Sequence, residues 1–461
     1  MIMSSILSDI DITIEDGDKI CVELEAKQHA DWKQYSINIL PEDEVRIFLS
    51  NSQSGARELS VCPELLRELS QDAGLEYDNS LTAVDSVKEL IRYINDKPKH
   101  QIIRTIHPVG QGAMYSERFL DKDGNTAFLA VYDCGSDNSQ KLNREISASF
   151  SDTDDVDLLF ISHLDKDHVN GIMKLKEAVR SIKTIVLPFL SESQKNVYLL
   201  LADDMLKQII LSPEVFLSGS NIIKVKSVSD SVENPDPLNL PLSADEVLES
   251  GTPISANVNI DWCYIPYNYD ESTHMKDFYK RLADEGIAES SLRDSDFIDD
   301  NRNRLKDIYK KVCGGSVNDS SLVVYSGGGS IGYPSCIIHG SIRNSRNSGE
   351  ACLYLGDANI NQTQTNAKSM VDDLKDRLDS ANVNRHIGMI QLPHHGSVKN
   401  FHKGLLSYGL APKSYFASFG QNNRHGHPST LMIGLIVARN ETFCGVTEIR
   451  DSAMIQIVEK V

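Results

Sequence analysis

The segment Ile161–Gly171 reads ISHLDKDHVNG and places four potential metal ligands within six residues: His163, Asp165, Asp167 and His168. An apolar run, 156–161, precedes these residues and an amphipathic stretch follows them, which is typical of a loop between a strand and a helix. Such a loop turns imidazoles and carboxylates toward one point, and these nitrogen and oxygen ligands suit Zn²⁺ or Mn²⁺. The alternative is a solvated polar turn in which Asp167 acts near a helix N-cap.

Three further clusters repeat this design of an apolar strand followed by potential ligands. They read LYLGD over Leu353–Asp357, QLPHHGS over Gln391–Ser397 and SFGQNNRHGHP over Ser418–Pro428. Six of the chain's 13 histidines lie in the first motif and the two histidine-bearing clusters, whereas scattered core or surface histidines would not group in this way. The sequence therefore predicts a metal site built at the ends of several strands.

Short apolar strands separated by glycine-rich loops begin at Ile102 and indicate a layered α/β unit. The polar, proline-bearing region from about 191 to 314, with helical patterns over 275–285 and 302–312, is interpreted as an insertion or lid. The predicted strands are 102–106, 127–132, 156–161, 184–187, 321–325, 335–338, 351–355 and 387–392.

Residues 1–99 carry a separate pattern and predict a small α+β accessory domain. Two strand-like runs, 11–14 and 19–25, flank the turn residues Asp16 and Gly17 and predict a hairpin. Helical spacing follows over 63–71 and 83–95, and a polar stretch with Pro98 predicts the boundary to a larger domain over 100–461.

The composition restricts the classes of protein to consider. The chain has 461 residues, 40% of them hydrophobic, and a formal net charge of −20, which argues against a passive nucleic-acid binder with a basic face. The eight cysteines include no C-x-x-C pair, which favours reduced thiols. Without an apolar run of about 18 residues or a recognisable signal peptide, we expect a cytoplasmic protein that makes no membrane contact.

The order of these motifs resembles the metallo-β-lactamase superfamily, and specifically the nuclease domain of ComEC-type competence proteins. The resemblance covers about 102–461 and rests on seven motifs in the family's order. These are Val109–Gly112, Tyr132–Gly135, His163–His168, Asn318 with Ser321–Val323, Gly356–Asp357, the HHGS sequence at 394–397 and the His427–Pro428 pair.

The resemblance implies an αββα sandwich with the accessory domain and the insertion added to it, and two divalent metal ions, Zn²⁺ or Mn²⁺. Asp165 stands where many members carry a histidine, and a harder oxygen ligand favours Mn²⁺, so the identity of the metal stays open. The implied ligands are His163 and Asp165 for the first ion, Asp167 and His168 for the second, Asp357 bridging both, and either His394 or His395 completing the set.

Further roles are implied around these ligands. Asp133 is expected to orient the metal loop, although an ordinary turn aspartate is the alternative. Asp167 and His427 are expected to act on the reaction, His427 at the substrate phosphate or leaving group. The expected substrate contacts are Ser397, Asn423, Arg424 and His425.

The implied activity is a metal-dependent phosphodiesterase, a nuclease that hydrolyses DNA or RNA with a metal-bound hydroxide. One alternative is a hydrolase of small phosphodiesters or of other esters and amides, because one metal site serves several reactions. The other alternative is a regulatory protein that binds a partner. Either residues 1–99 or the insertion is the expected surface for a protein partner.

Overall fold

The computed structural model divides the chain into two compact units, Met1–Lys99 (with Val461) and His100–Lys460. It describes residues 10–14, 20–24, 34–39, 45–51, 55–60, 100–243, 246–256, 258, 261–269, 272–313, 321–328, 335–339, 342–344, 349–362, 368–409 and 412–460.

The first unit contains a five-stranded antiparallel sheet whose order follows the chain. Ile10 pairs with Leu24 and Ile14 with Ile20, which confirms the predicted hairpin. The helices predicted over 63–71 and 83–95 lie outside the described residues. The strands are β1 (Ile10–Ile14), β2 (Ile20–Leu24), β3 (Gln34–Ile39), β4 (Val45–Asn51) and β5 (Gly55–Ser60).

The second unit is built on two larger sheets. One has ten strands in the order β13-β11-β10-β9-β8-β7-β6-β23-β17-β18, and the other has eight in the order β12-β14-β15-β16-β19-β20-β21-β22. Their bounds are β6 (His100–Ile106), β7 (Gly112–Leu120), β8 (Thr126–Ser136), β9 (Asp155–Phe160), β10 (Ser181–Pro188), β11 (Asn221–Val225), β12 (Leu238–Asn239), β13 (Val247–Leu248), β14 (Ile254–Ser255), β15 (Trp262–Tyr269), β16 (Ser321–Gly328), β17 (Ser335–His339), β18 (Ile342–Asn344), β19 (Ala351–Tyr354), β20 (Ile387–Gln391), β21 (Ser414–Ser418), β22 (Thr442–Val446) and β23 (Met454–Lys460).

Helices cover the outer faces of both sheets, and no described helix has both the length and the apolar character needed to cross a bilayer. The α-helices are Ser139–Ser149, Lys166–Val169, Ile172–Ala178, Glu192–Leu201, Asp204–Leu211, Pro213–Phe216, Ser272–Asp284, Ser295–Cys313, Met370–Ser380 and Thr430–Val437. Short 3₁₀ turns occur at Val228–Asp230, Glu289–Arg293, Asn384–His386, His394–Gly396, Lys403–Ser407 and Arg450–Ser452.

Three hydrophobic clusters show how the layers stack. One joins the inner faces of the two sheets, with Tyr115 and Phe160 from the first and Tyr354 from the second. Another packs the first sheet against helices through Leu142, and a third packs the second sheet against helices through Leu374. Helix, sheet, sheet and helix therefore follow one another, which confirms the predicted αββα sandwich.

The region predicted as an insertion is only partly one. Its strand β11 pairs in parallel with β10, and β15 pairs with β16, so the region supplies strands to both sheets. Most of Trp262–Tyr269 is buried, as a central strand requires. The helices at 192–201, 272–284 and 295–313 form a separate apolar cluster that includes Val197, Phe278 and Leu305, and this is the added part.

Parallel pairing gathers the predicted ligand loops at the strand ends. Strands β8, β9, β10 and β11 run in parallel, and so do β19, β20, β21 and β22. Loops that leave the carboxyl ends of parallel strands meet at one edge of a sheet. The loops after β9, β19, β20 and β21 are the four that carry the histidine and aspartate motifs.

A deletion of residues 1–99 is expected to leave a soluble protein that still binds metal. The second unit begins with β6, whose His100 pairs with Lys460, so the cut removes no strand from the two large sheets. Size-exclusion chromatography and metal analysis of the 100–461 variant test this, with the full chain as the control. Aggregation of the shortened protein would contradict the boundary.

Candidate metal centre

The loop after β9 is held close to the first sheet by two glycines. An added Cβ at Gly135 would lie 2.4 Å from the backbone nitrogen of His168, and one at Gly112 would lie 2.8 Å from the Asp167 carbonyl oxygen. Those distances are too short for any side chain, so both backbones pack directly against the loop. His163 and His168 are consequently buried at the edge of the sheet.

His163, His168 and Asp357 form the first group of potential ligands, with their ligand atoms within 4.8 Å of one another. His163 Nε2 lies 3.9 Å from Asp357 Oδ2, and His168 Nε2 lies 3.3 Å from Asp357 Oδ1. Asp357 comes from the loop after β19, where its backbone N–H donates to the Ser321 hydroxyl at 3.1 Å.

Asp167, His168 and His395 form the second group, again within 4.8 Å. His395 Nδ1 lies 2.8 Å from the Ser418 carbonyl oxygen, which only accepts, so in the neutral ring Nδ1 carries the proton and Nε2 keeps its lone pair. That Nε2 lies 3.3 Å from Asp167 Oδ2 and 4.0 Å from Asp357 Oδ1. His168 is therefore shared by the two groups.

Several nitrogen and oxygen atoms of this cluster have no hydrogen-bond partner, and this bears on whether a cation fits the site. Buried nitrogen and oxygen atoms are normally hydrogen-bonded, and those left unpaired require an explanation such as an ion. A divalent cation would satisfy them together, and neutral imidazoles with carboxylates are the ligands that Zn²⁺ and Mn²⁺ accept. The buried atoms without a hydrogen-bond partner within the described part of the chain include His163 Nε2, His168 Nε2, Asp357 Oδ1, His394 Nδ1 and His395 Nε2.

The electrostatics of the cluster agree with a cation site. Burial lowers the pKa of His163 to about 3, so its ring is neutral and available as a ligand. Burial alone would also lower the pKa of His168, but Asp357 and Asp133 outweigh it and raise that pKa well above its usual value. Asp357 keeps a pKa far below its usual range, because His168, His394 and His395 outweigh its burial. Without a metal, a protonated His168 supplies the positive charge that the carboxylates require.

Asp133 contacts the imidazole of His168 on the side of the ring opposite Asp357. Its Oδ2 lies 2.8 Å from His168 Nδ1 and accepts from the Ser162 hydroxyl at 2.7 Å, while Oδ1 accepts from the Ser162 backbone N–H at 2.7 Å. Asp133 is fully buried and adopts a left-handed backbone with φ 56°. These contacts support the predicted role of Asp133 in orienting the metal loop. An ordinary turn aspartate would not need to be buried in this way.

Asp133→Asn is expected to weaken metal binding about 10- to 100-fold, as losses of such supporting hydrogen bonds do. An amide nitrogen cannot accept from His168 Nδ1, so the ring loses its fixed orientation. Metal titration of the full chain gives the affinity, and thermal unfolding of the metal-free protein separates this effect from a general loss of stability. The exposed Asp152→Asn is the matched control, and equal affinities in the two variants would contradict the role.

The grouping of ligands differs from the pairing implied by the resemblance. Asp165 belongs to neither group; it lies half-buried at the start of the helix Lys166–Val169, where its carbonyl accepts from the backbone N–H of His168 at 3.0 Å. His163 is grouped with His168 and Asp357 instead. The ligand role of Asp165 therefore stays a prediction without support from this geometry.

Both histidines of the HHGS motif approach the centre. Adjacent residues on an extended segment point opposite ways, which would leave only one of the two as a ligand. His394 and His395 instead have φ of 50° and 56° and form a left-handed turn. His394 Nδ1 lies 3.7 Å from Asp357 Oδ2, and its side chain is 27% exposed, whereas His395 is almost fully buried. His395 thus fits the ligand position better, and His394 lies between the cluster and the solvent.

The loop after β21 forms the rim of the centre. The ring of His427 lies 5.9 Å from that of His394, and the ring of His425 stacks on His427 at 5.8 Å. Burial and the neighbouring His394 and His395 lower the pKa of His427 to about 4, which keeps its ring neutral in the free protein. Arg424 and His425 are exposed on this rim, as a substrate contact requires.

Two of the predicted substrate contacts, Asn423 and Ser397, have little support in the geometry. The Asn423 amide donates to the carbonyl oxygens of Gly420 and His427, at 2.8 and 2.7 Å, and accepts from the N–H groups of His425 and His427. Its hydrogen-bonding capacity is used to shape the loop, so this geometry gives no support to Asn423 as a substrate contact, and that role stays a prediction. Ser397 is 3% exposed, and its burial likewise argues against a direct contact.

Sequence reasoning missed Gln391 and Ser162 as supports of the centre. Gln391 Oε1 accepts from the backbone N–H groups of Leu355 and Gly356, at 2.9 and 3.0 Å, and so fixes the turn that carries Asp357. The only signal was a polar residue at the end of an apolar strand. Ser162 links Asp133 to the loop through the contacts given above, and its position next to His163 was the signal.

Comparison with known proteins gives a family match for part of the chain. Residues 122–197, which include the motif at 161–171, match the family model described as "Metallo-beta-lactamase superfamily". Together with the two sheets and their covering helices, this match agrees with a metallo-β-lactamase sandwich fold. No curated protein sequence matches the chain.

Two solved structures from yeast are similar to the chain. The crystal structure of unliganded yeast PDE1 has 10% sequence identity and a TM-score of 0.37, with 77% of this chain and 99% of that chain covered. A long form of RNase Z from yeast has 11% identity and a TM-score of 0.29, with 90% of this chain and 51% of that chain covered.

Proposed function

We propose that this protein is a metal-dependent phosphodiesterase that hydrolyses the backbone of nucleic acid. The observation that carries the proposal is the convergence of unpaired, buried imidazole and carboxylate atoms from His163, His168, Asp357 and His395 at one edge of the sandwich. The superfamily match over 122–197 supports a metal-dependent hydrolase, and the motif order resembles the nuclease domain of ComEC-type proteins.

The residues divide into a buried set that holds cations and a rim that contacts substrate. His163 and Asp357 would hold one divalent ion and Asp167 with His395 a second, while His168, whose Nδ1 faces Asp133, would offer its Nε2 to one of the two. Divalent ions in such a site supply Lewis acidity, which activates water and offsets phosphate charge. The side chains exclude solvent from this set, since all but Asp167 are nearly fully buried.

The rim supplies hydrogen-bond donors where a phosphate would lie. His427 is half-buried beside His394, close enough for its ring N–H to reach a leaving oxygen or a phosphate oxygen of a diester placed over the centre. The guanidinium of Arg424 and the imidazole of His425 lie further out on the same loop. Donors arranged in this way stabilise the charge that develops during phosphodiester cleavage.

A hydrolase of small phosphodiesters is the second candidate, and the net charge of −20 favours it because a long polyanion is repelled by an acidic surface. A purely regulatory protein is disfavoured, because such a protein is expected to have lost metal ligands, whereas both candidate groups here consist of side chains able to bind metal. Either residues 1–99 or the insertion stays the proposed surface for any protein partner.

A gel assay separates these candidates. The full chain is incubated with Mn²⁺ or Zn²⁺ and single-stranded DNA, duplex DNA or RNA, with bis(p-nitrophenyl) phosphate measured in parallel. Cleavage of at least one nucleic acid is expected. Turnover of the small diester alone would favour the second candidate, and no turnover of any of them with metal bound would contradict both.

A further inference from the structure

We propose that a cavity beside the metal centre binds one guanine base of the nucleic acid; this inference rests on the proposed function and adds a base preference to it. The cavity has a volume of about 490 Å³. That lies within the roughly 300 to 1,000 Å³ of small-molecule sites, so a single base with its sugar fits.

The position of the cavity ties it to the centre. Its walls include Gln111, the first residues of the helix Ser139–Ser149 and the loop residues Arg424 and His425. His425 stacks on His427, and His427 lies against His394, so two imidazole rings separate this wall from the carboxylate of Asp357. A nucleotide chain that crosses the centre therefore passes the mouth of the cavity.

Carboxylates and a guanidinium share the lining. Glu448 Oε2 accepts from the backbone N–H of Gln421 at 3.0 Å, which fixes this side chain on the wall. A Cβ added at Gly110 would lie 3.2 Å from the same oxygen, so the glycine provides the space that Glu448 occupies. Asp137 contributes a second, exposed carboxylate, and Arg424 lines the cavity with them.

This combination matches guanine better than the other bases. Carboxylate oxygens only accept hydrogen bonds, and guanine presents N1–H and N2–H₂ donors side by side. On its other edge O6 and N7 accept, which is the pair that arginine contacts most often. Uracil and thymine place carbonyl oxygens on both sides of their single N–H donor, and these oxygens would be repelled by Glu448 and Asp137. The chemistry of the lining thus selects a base with adjacent donors and a separate acceptor edge.

Cleavage of defined oligonucleotides tests the inference. The full chain, loaded with Mn²⁺, is given end-labelled oligothymidylate with one central dG, dA or dC, and oligouridylate with one central G, A or C. Faster cleavage next to guanine is expected, on the order of tenfold over cleavage within the thymidine or uridine background. Glu448→Gln should reduce that ratio toward one, and the exposed Glu177→Gln is the matched control that keeps it.

The outcomes separate this inference from the proposed function. Hydrolysis of bis(p-nitrophenyl) phosphate, which has no base, reports the metal centre alone. Oligonucleotide cleavage without a guanine preference would overturn the cavity assignment and leave the phosphodiesterase intact. Hydrolysis of the base-free diester with no oligonucleotide cleavage would overturn the cavity assignment and the nucleic-acid substrate. A metal-loaded chain that is inactive on the diester and on both kinds of oligonucleotide would overturn the phosphodiesterase itself. A guanine preference that survives in Glu448→Gln would overturn the role of Glu448, and the wild-type comparison stands even if that variant does not fold.

Discussion

Replacing Asp167 and His168 together with alanine is expected to remove bound metal and lower the rate of phosphodiester hydrolysis on the order of 10³-fold or more, since metal ions supply several kcal/mol of transition-state stabilisation. His168 belongs to both ligand groups, and Asp167 belongs to the second, so the double variant damages both. Elemental analysis and the rate with bis(p-nitrophenyl) phosphate measure the two effects.

The overall fold of the double variant should persist with lowered stability, because the buried Asp133 and Asp357 lose the imidazole of His168 between them. Gly135 and Gly112 pack against the backbone of residues 167 and 168 rather than against their side chains, so truncation leaves that contact in place. Circular dichroism compares the fold of the double variant with that of the wild-type chain. Asp152→Ala, at an exposed position, serves as the control. Full metal occupancy in a folded double variant would contradict the assignment of these ligands.

His427→Ala is expected to leave the metal content nearly unchanged and to lower the rate about 10² to 10⁴-fold on a substrate with an alkoxide leaving group. His427 lies on the rim, one ring beyond His394, and belongs to neither ligand group. Its loss removes a proton donor to the leaving oxygen without removing a ligand, since the ring, which is neutral in the free protein, can take up a proton when the phosphate anion is bound beside it. A dinucleotide substrate and elemental analysis measure the effect.

The nature of the leaving group gives a sharper test of the same residue. Nitrophenolate departs without a proton, so the variant should recover much of its relative activity on a p-nitrophenyl diester. Equal losses on both substrates would show that His427 only holds phosphate by a hydrogen bond, which its neutral ring in the free protein also permits. Loss of a metal ion would contradict its place on the rim.

The sequence predicted correctly those parts of the fold in which a local pattern of residues is enough to determine the structure. Apolar runs such as 184–187 and 387–392 lie within β10 and β20 or overlap them closely, and β1 and β2 pair antiparallel on either side of the predicted turn at 16–17, which itself lies outside the described residues. The extent of the insertion was wrong, because a polar, proline-bearing segment hid β11 and β15. Their burial depends on neighbouring strands that are distant in sequence, with β15 pairing β16 across the two helices at 272–313.

The site residues likewise divide into those that local residue type and spacing indicated and those that depend on the folded backbone. Residue type and spacing pointed to His163, His168 and Asp357, but they left His394 and His395 undecided, and the alternation of side chains along a strand gives no guide where the backbone is not extended. Their left-handed conformations bring both rings toward Asp357. The amide of Asn423 is hydrogen-bonded to backbone groups of its own loop, which residue type does not reveal, so its predicted substrate contact stays a prediction.

The most direct test of the central claim is the rate of nitrophenol release from bis(p-nitrophenyl) phosphate by the full chain before chelation, after chelation and after metal is restored. The cluster of His163, His168, Asp357, Asp167 and His395 predicts that chelation abolishes hydrolysis and that Mn²⁺ or Zn²⁺ restores it. A rate that stays unchanged once elemental analysis shows the metal to be gone would contradict a metal-dependent phosphodiesterase.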